Sequence, residues 1–218
     1  MRLAEIWRYP VKSMAGERLD AAELRKGGIE GDRVVQAWDA RGRILTARTH
    51  PRLLGHRATI GPDGEPQVDG LPWADPEVTR RVEAAAGRRV RLRRFEGEER
   101  FDILPLLVAT DGSLAAFGRD PRRLRPNLVI AGVEGLAERE WQGRSIRVGR
   151  VVVGLADLRG RCVMTTWDPD TQAQDVGVLH DIARRFDGRL CLNAAVLEPA
   201  RIEAGDEVEL LGPWKTDP

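Results

Sequence analysis

Short apolar stretches, each stopped by Gly, Pro or Asp, set the rhythm of this chain. Residues 3–7, 34–38, 44–47, 56–60, 90–94, 104–109, 128–131, 145–148, 151–155 and 207–211 have the length and the β-branched content of strands. Turn signals separate them, among them Asp39-Ala40-Arg41-Gly42, Gly61-Pro62-Asp63-Gly64 and Val133-Glu134-Gly135. Helical signals are fewer. Asp75-Pro76 ahead of residues 77–86, with Gly87 behind them, supplies a cap, a first-turn proline and a glycine stop. Residues 111–117 form a second candidate, with Asp111 or Ser113 as cap. Residues 176–186, ending at Asp187-Gly188, form a third. Many strands with few short helices predict an α+β, mostly β fold built around barrels. The polar run Phe95-Glu96-Gly97-Glu98-Glu99-Arg100 divides the chain almost evenly and predicts a boundary near residues 95–102. The tail Trp214-Lys215-Thr216-Asp217-Pro218 reads as a fraying end.

Composition narrows the function. With 218 residues, 42% of them hydrophobic, the chain can bury a sizeable core in one large domain or two small ones. Its 35 basic and 34 acidic residues leave a net charge of +1, which gives no support to nucleic-acid or membrane-surface binding. No apolar run approaches the ~20 residues of a membrane span. Met1-Arg2-Leu3-Ala4-Glu5-Ile6-Trp7 reads as the start of a strand rather than a secretory leader, so we expect a cytoplasmic protein with reduced thiols. Arginine supplies nearly all the positive charge, and arginine forms bidentate pairs with phosphate and carboxylate. Local anion sites are therefore compatible with a neutral whole. The two cysteines, Cys162 and Cys191, form neither a CxxC pair nor a cluster at zinc-ligand spacing.

Four segments are richer in functional groups than folding requires. In Tyr9-Pro10-Val11-Lys12-Ser13, an ammonium and a hydroxyl leave a strand end side by side, as suits a phosphate or carboxylate, although such pairs are common on surfaces. In Gly27-Gly28-Ile29-Glu30-Gly31-Asp32-Arg33, glycines allow close backbone approach and Asp32 can orient Arg33; a surface hairpin accounts for the same pattern. In Arg125-Pro126-Asn127, a guanidinium and an amide are fixed by a proline, to read a ligand or to satisfy a local turn. In Arg161-Cys162-Val163-Met164-Thr165-Thr166, followed by Asp168-Pro169-Asp170-Thr171, a lone thiol beside positive charge reads as a metal ligand or redox group, or as an inert strand-end cysteine. Cys191, inside Leu190-Cys191-Leu192, reads as core. His50, His56 and His180 are scattered without ligand spacing.

Taken in order, these segments resemble the MOSC superfamily, most closely the mitochondrial amidoxime-reducing components and their bacterial relatives. Thr46-Ala47-Arg48 with Pro51-Arg52-Leu53, and Gly205-Asp206 near the C-terminus, extend the match over nearly the whole chain. The resemblance implies an N-terminal β-barrel region over residues 1–95, packed against a MOSC β-barrel over residues 100–213. It implies the molybdenum cofactor, Mo-molybdopterin, in the cleft between them. By the same resemblance Cys162 is the molybdenum ligand and a catalytic residue. Lys12, Ser13, Arg33, Asp102, Ile103, Arg125, Asn127, Gly160 and Arg161 are the remaining cofactor contacts. The superfamily-level label also includes pyridoxal phosphate binding. Three positions depart from the mitochondrial relatives: Ile103 stands for a threonine, Gly160 for a serine and Ala194 for a tyrosine.

The implied activity is reduction of N-hydroxylated or N-oxygenated compounds, with Asp168 and Asp170 as candidate proton donors. Two cysteines cannot hold an iron–sulfur cluster, so electrons are expected from a separate iron–sulfur, flavin or haem partner. The alternative is a cofactor carrier or sulfur-transfer module without turnover of its own. A barrel that binds small anions without metal is a third reading.

Overall fold

The computed structural model describes residues 1–214; the expected fraying of the tail beyond Trp214 lies outside the described residues. The strands are β1 (Arg2–Arg8), β2 (Glu17–Leu19), β3 (Ala21–Arg25), β4 (Gly28–Ile29), β5 (Val35–Asp39), β6 (Ala58–Ile60), β7 (Pro66–Val68), β8 (Leu71–Pro72), β9 (Val90–Arg94), β10 (Leu106–Thr110), β11 (Leu128–Ala131), β12 (Arg144–Val148), β13 (Val151–Gly160), β14 (Arg189–Glu198), β15 (Ala200–Glu203) and β16 (Val208–Pro213). Three α-helices join them: α1 (Pro76–Ala86), α2 (Asp111–Phe117) and α3 (Gly177–Phe186). The fold is mostly β, as expected, and its strands form several sheets.

The largest sheet has the order β16-β12-β13-β14-β10-β11-β1-β2. Its pairs are antiparallel except β10 with β11. The sheet curls until the start of β1 meets the approach to β16. There Leu3 N donates to Asp206 O at 2.8 Å, and Val208 N to Met1 O at 3.0 Å. Alternation along β10 explains the two layers on this sheet. Leu106 and Val108 face the interior of the curl with Ile6, Leu128, Ile146 and Leu155. Leu107 and Ala109 face outward, where Val178, Ile182 and Phe186 of α3 cover them.

Residues 11–92 supply a second core. Val35 and Ala37 of β5, Val68 of β7 and Val78 and Val82 of α1 pack together there. Helix α1 obeys its local signals: Asp75 accepts from Glu77 N at 2.7 Å, Pro76 opens the helix, and Gly87 closes it at φ 66°. In α2 the cap is Thr110, one residue earlier than expected, because its hydroxyl and Ser113 form a reciprocal capping box. Asp111 is drawn outward instead, accepting from Gly132 N and Val133 N. The strand expected at residues 44–47 does not form. Ile44 makes an isolated bridge to Trp38, and the chain then turns, with Thr49 N and His50 N both donating to Thr46 O. That turn brings Thr46 and Arg48 to the junction between the two cores.

Candidate functional site

At that junction lies a cleft of about 300 Å³. The ends of several elements converge on it: the exit of β1, the turn before β5, the loop before β10, the loop before β11 and the end of β13. Lys12, Ser13, Arg33, Asp102, Ile103, Arg125, Asn127, Gly160, Arg161 and Cys162 all line it, although more than half the chain separates the first from the last. Three of them sit at positive φ without being glycine: Ser13 at 70°, Arg33 at 57° and Arg125 at 57°. Each such residue costs of order 1 kcal/mol and persists only where the surroundings enforce it, as at ligand-binding loops.

The enforcing framework is visible. Asp32, fully buried, accepts from Tyr9 N at 2.7 Å and from Asn127 Nδ2 at 3.3 Å, and pairs with the Arg33 guanidinium. The Tyr9 ring carries Arg125 at 4.1 Å and Arg33 at 5.0 Å from its centre. Burial pushes the Tyr9 phenol up to about 12, so the ring stays neutral. Arg125 donates to Met14 O at 2.7 Å, and Arg161 to Leu124 O at 2.7 Å. Arg100, itself buried, donates to the carbonyls of Asp32 and Gly27 and ties the loop before β10 to the first half of the chain.

The electrostatics are one-sided. Among the described residues, seven cations line the cleft (Lys12, Arg33, Arg48, Arg123, Arg125, Arg159 and Arg161) against one carboxylate, Asp102. Asp102 bridges Lys12 at 2.9 Å, Arg48 at 2.6 Å and Arg159 at 3.4 Å. Burial opposes its charge, but the Lys12 ammonium and the two guanidiniums hold the carboxyl below its usual range. Burial lowers the pKa of Lys12, Arg159 and Arg161, and brings Arg125 down to about 10. Arg161 Nε is shut from solvent with no acceptor. Cations desolvated in this number, one with an orphaned N–H, form a receptor for an anion.

Cys162 is half-buried and free at the N-terminal edge of the short turn Val163–Thr166. Burial works against the Arg48 charge, yet Asp102 at 2.6 Å and the nearby Cys162 sulfur hold it above its ordinary value. The donor set therefore fits a phosphorylated, sulfur-rich metal cofactor: guanidiniums and a hydroxyl for the anion, and one accessible thiol for a soft metal. Gly160 leaves open space, with nothing within 4 Å of where a Cβ would stand. Ile103 lies at the rim, 57% exposed.

Asp168 and Asp170 are not brought into this cleft. Asp168 accepts from the backbone N–H groups of Thr171 and Asp170 and pairs with Arg123 at 3.0 Å. Asp170 pairs with Arg122 at 2.6 Å. The backbone donors hold Asp168, and Arg122 holds Asp170, below the ordinary carboxylate range, so both stand as anions. Cys191 is buried in the core, as expected, and burial pushes its thiol up to about 11. The cleft also contains Thr46, Arg48, Phe101, Arg123, Arg159 and Asn193, which were not among the expected site residues. Arg159 carried a usable signal: it stands two residues before Arg161, hence on the same face of the strand end.

Comparison with known proteins agrees with this geometry. Residues 1–102 match the MOSC N-terminal beta barrel domain and residues 109–209 the MOSC domain. The chain is 26% identical over 282 residues to mitochondrial amidoxime-reducing component 1 of Homo sapiens, covering 96% of this chain and 83% of that protein. It is 27% identical over 250 residues to mitochondrial amidoxime reducing component 2 of Macaca fascicularis, covering 87% and 72%. The YUAD protein of Bacillus subtilis shares the fold, with a TM-score of 0.51 at 12% identity over 98% of this chain and 96% of that one. The chain belongs to the MOSC superfamily, its N-terminal MOSC barrel domain followed by a MOSC domain with the cation-lined cleft where the two meet.

Proposed function

We propose that this chain is a molybdenum-cofactor-dependent oxidoreductase that reduces N-hydroxylated or N-oxygenated small molecules, with electrons from a separate donor protein. The observation that carries the proposal is a single accessible thiol, Cys162, on a cleft lined by seven cations. When bound, Mo-molybdopterin supplies two-electron, oxygen-atom chemistry at its metal. Cys162 would supply a thiolate ligand. Lys12, Ser13, Arg33, Arg125 and Arg161 would hold the phosphate and the pterin through charge-assisted hydrogen bonds, each contributing about 1.5–3 kcal/mol where water is excluded. Asp102 keeps Lys12, Arg48 and Arg159 gathered in the cleft that the thiol lines. Lys12 Nζ, held by Arg100 O at 2.7 Å and Asp102 at 2.9 Å, would present its ammonium to the anion. Ile103 presents an apolar rim to the non-reacting part of a substrate. The names of the mitochondrial relatives support the reaction class.

The test is a reductase assay on protein from a cofactor-competent host, with a reduced viologen dye as donor and an N-hydroxylated amidine as substrate. The parent turns over. Cys162→Ser and Cys162→Ala fall to background with unchanged melting temperature. Full activity in the purified alanine variant defeats the assignment. Retained molybdenum and pterin without turnover in the parent marks a carrier instead.

A further inference from the structure

Behind the cation-lined cleft a second one, of about 460 Å³, runs between residues of both halves of the chain. Its volume falls in the range of small-molecule sites. Arg123, Arg125 and Met164 line both clefts, whereas Cys162 lines only the first. The floor is built to shape: a Cβ on Gly16 would stand 2.5 Å from the Tyr9 ring and 2.2 Å from Arg8 O. The chemistry of this cleft differs from that of its neighbour. Trp7 and Trp167 give it ring surfaces. Trp7 Nε1 donates to Glu5 at 2.7 Å, but Trp167 Nε1 is sealed from solvent with no acceptor. Among its guanidiniums, Arg122 is engaged by Asp120 and Asp170, Arg123 by Asp168 and Arg18 by Glu5, while Arg125 is committed to Met14 O and the face of the Tyr9 ring. Arg57 is exposed at the cleft and has no ion pair among the described residues.

We propose that this second cleft binds a planar aromatic ligand carrying an anionic oxygen group, its ring against Trp7 and Trp167 and its anion at Arg57. Ring surface alone would take any flat apolar molecule. The free guanidinium selects one with a carboxylate or a phosphate, through a charge-assisted bond.

Calorimetric titration of the cofactor-loaded, full-length protein tests this in two arms. One uses 2-naphthoate, a carboxylate; the other uses AMP, a phosphate, with adenosine as its uncharged control. Saturable binding in either arm is expected, and the arm that binds names the anion. Adenosine binds more weakly than AMP. Arg57→Ala, a surface change that leaves the core untouched, weakens binding about tenfold or more, and so does Trp167→Leu. Should Trp167→Leu fail to fold, Trp7→Leu takes its place. Three results overturn the proposal: no saturable heat in either arm up to about 5 mM, affinity unchanged in Arg57→Ala, or affinity that falls in Arg33→Met but not in Arg57→Ala. The last would place the anion in the first cleft.

Discussion

Asn127 shows how one side chain can be drawn from ligand reading into architecture. Its Oδ1 accepts from Leu107 N at 3.2 Å, and its Nδ2 donates to Trp7 O at 3.1 Å and to Asp32 at 3.3 Å. It lines the cleft, but its amide is occupied in joining β1, β10 and the turn that carries Arg33. Asn127→Leu would leave those buried groups unpaired, so we expect a loss of about 3 kcal/mol and a melting temperature roughly 10 °C lower, measured by calorimetry. Glu138 makes the opposite case, a buried group left underserved. Its side chain is fully enclosed, one oxygen accepts from Thr110 Oγ1 at 3.1 Å, and the other has no partner. Burial pushes its carboxyl above the ordinary range. A raised native pKa means that the folded state holds the proton more tightly than the unfolded chain. Its contribution is therefore fully present below the unfolded carboxylate pKa, about 4.3, and is lost as pH climbs through the folded value. Glu138→Gln removes that loss. In urea titrations the midpoint of the variant should gain on the parent as pH rises above the unfolded carboxylate pKa and level off once Glu138 ionises in the folded state; a constant offset would show that Glu138 does not titrate with folding.

Elements differ in how plainly the chain announces them. The cap, proline and glycine of α1 were legible because every contact that makes them work lies within a few residues; Asp75→Ala should cost about 1 kcal/mol by thermal melting. Strand β14 gave no such signal. It is buried on both faces, Leu192, Ala194 and Val196 in one core and Leu190 and Cys191 in the other, so its residues do not alternate, and Cys191 breaks the regular backbone at φ 67°. Strands β2, β3 and β4 escaped notice for another reason: β2 and β4 have only three and two residues, and β3 carries charge and is held by β15, far along the chain. Residues 44–47 had strand composition but no strand to pair with beyond one bridge to Trp38. The site follows the same division. Lys12-Ser13, Asp32-Arg33, Arg125-Pro126-Asn127 and Arg161-Cys162 were readable as strings, since residue type and neighbours carried the chemistry. The status of Asp170 was not, because it is set by Arg122, more than forty residues away, whereas Asp168 is held mainly by the N–H groups of its own turn, with Arg123 adding to them. Arg48 was equally hidden: only the turn that replaces the expected strand brings it to Asp102 and Cys162.

Over the whole molecule, positive and negative charges nearly cancel, 35 against 34, but they are not evenly placed. Seven cations and one carboxylate share the cleft between the two cores, and burial has weakened the charged state of Lys12, Arg125, Arg159 and Arg161. Without an anion, that concentration of like charge pushes the two halves apart at the place where they meet. An anion that binds the folded cleft and not the unfolded chain stabilises the fold by mass action, about 1.4 kcal/mol at ten times its dissociation constant, or a melting rise of roughly 3–6 °C for a chain of this size. Cofactor-free protein should therefore melt higher in pyrophosphate than in sodium chloride of equal ionic strength. The difference should shrink in Arg33→Met, which removes one of the converging guanidiniums while Tyr9 and Asn127 still meet Asp32. Ordinary screening of surface charges depends on ionic strength alone and would raise the parent equally in both salts. Equal melting in the two salts would mean that the cleft does not hold an anion in preference to water, and the cofactor assignment would lose the electrostatic argument on which it stands.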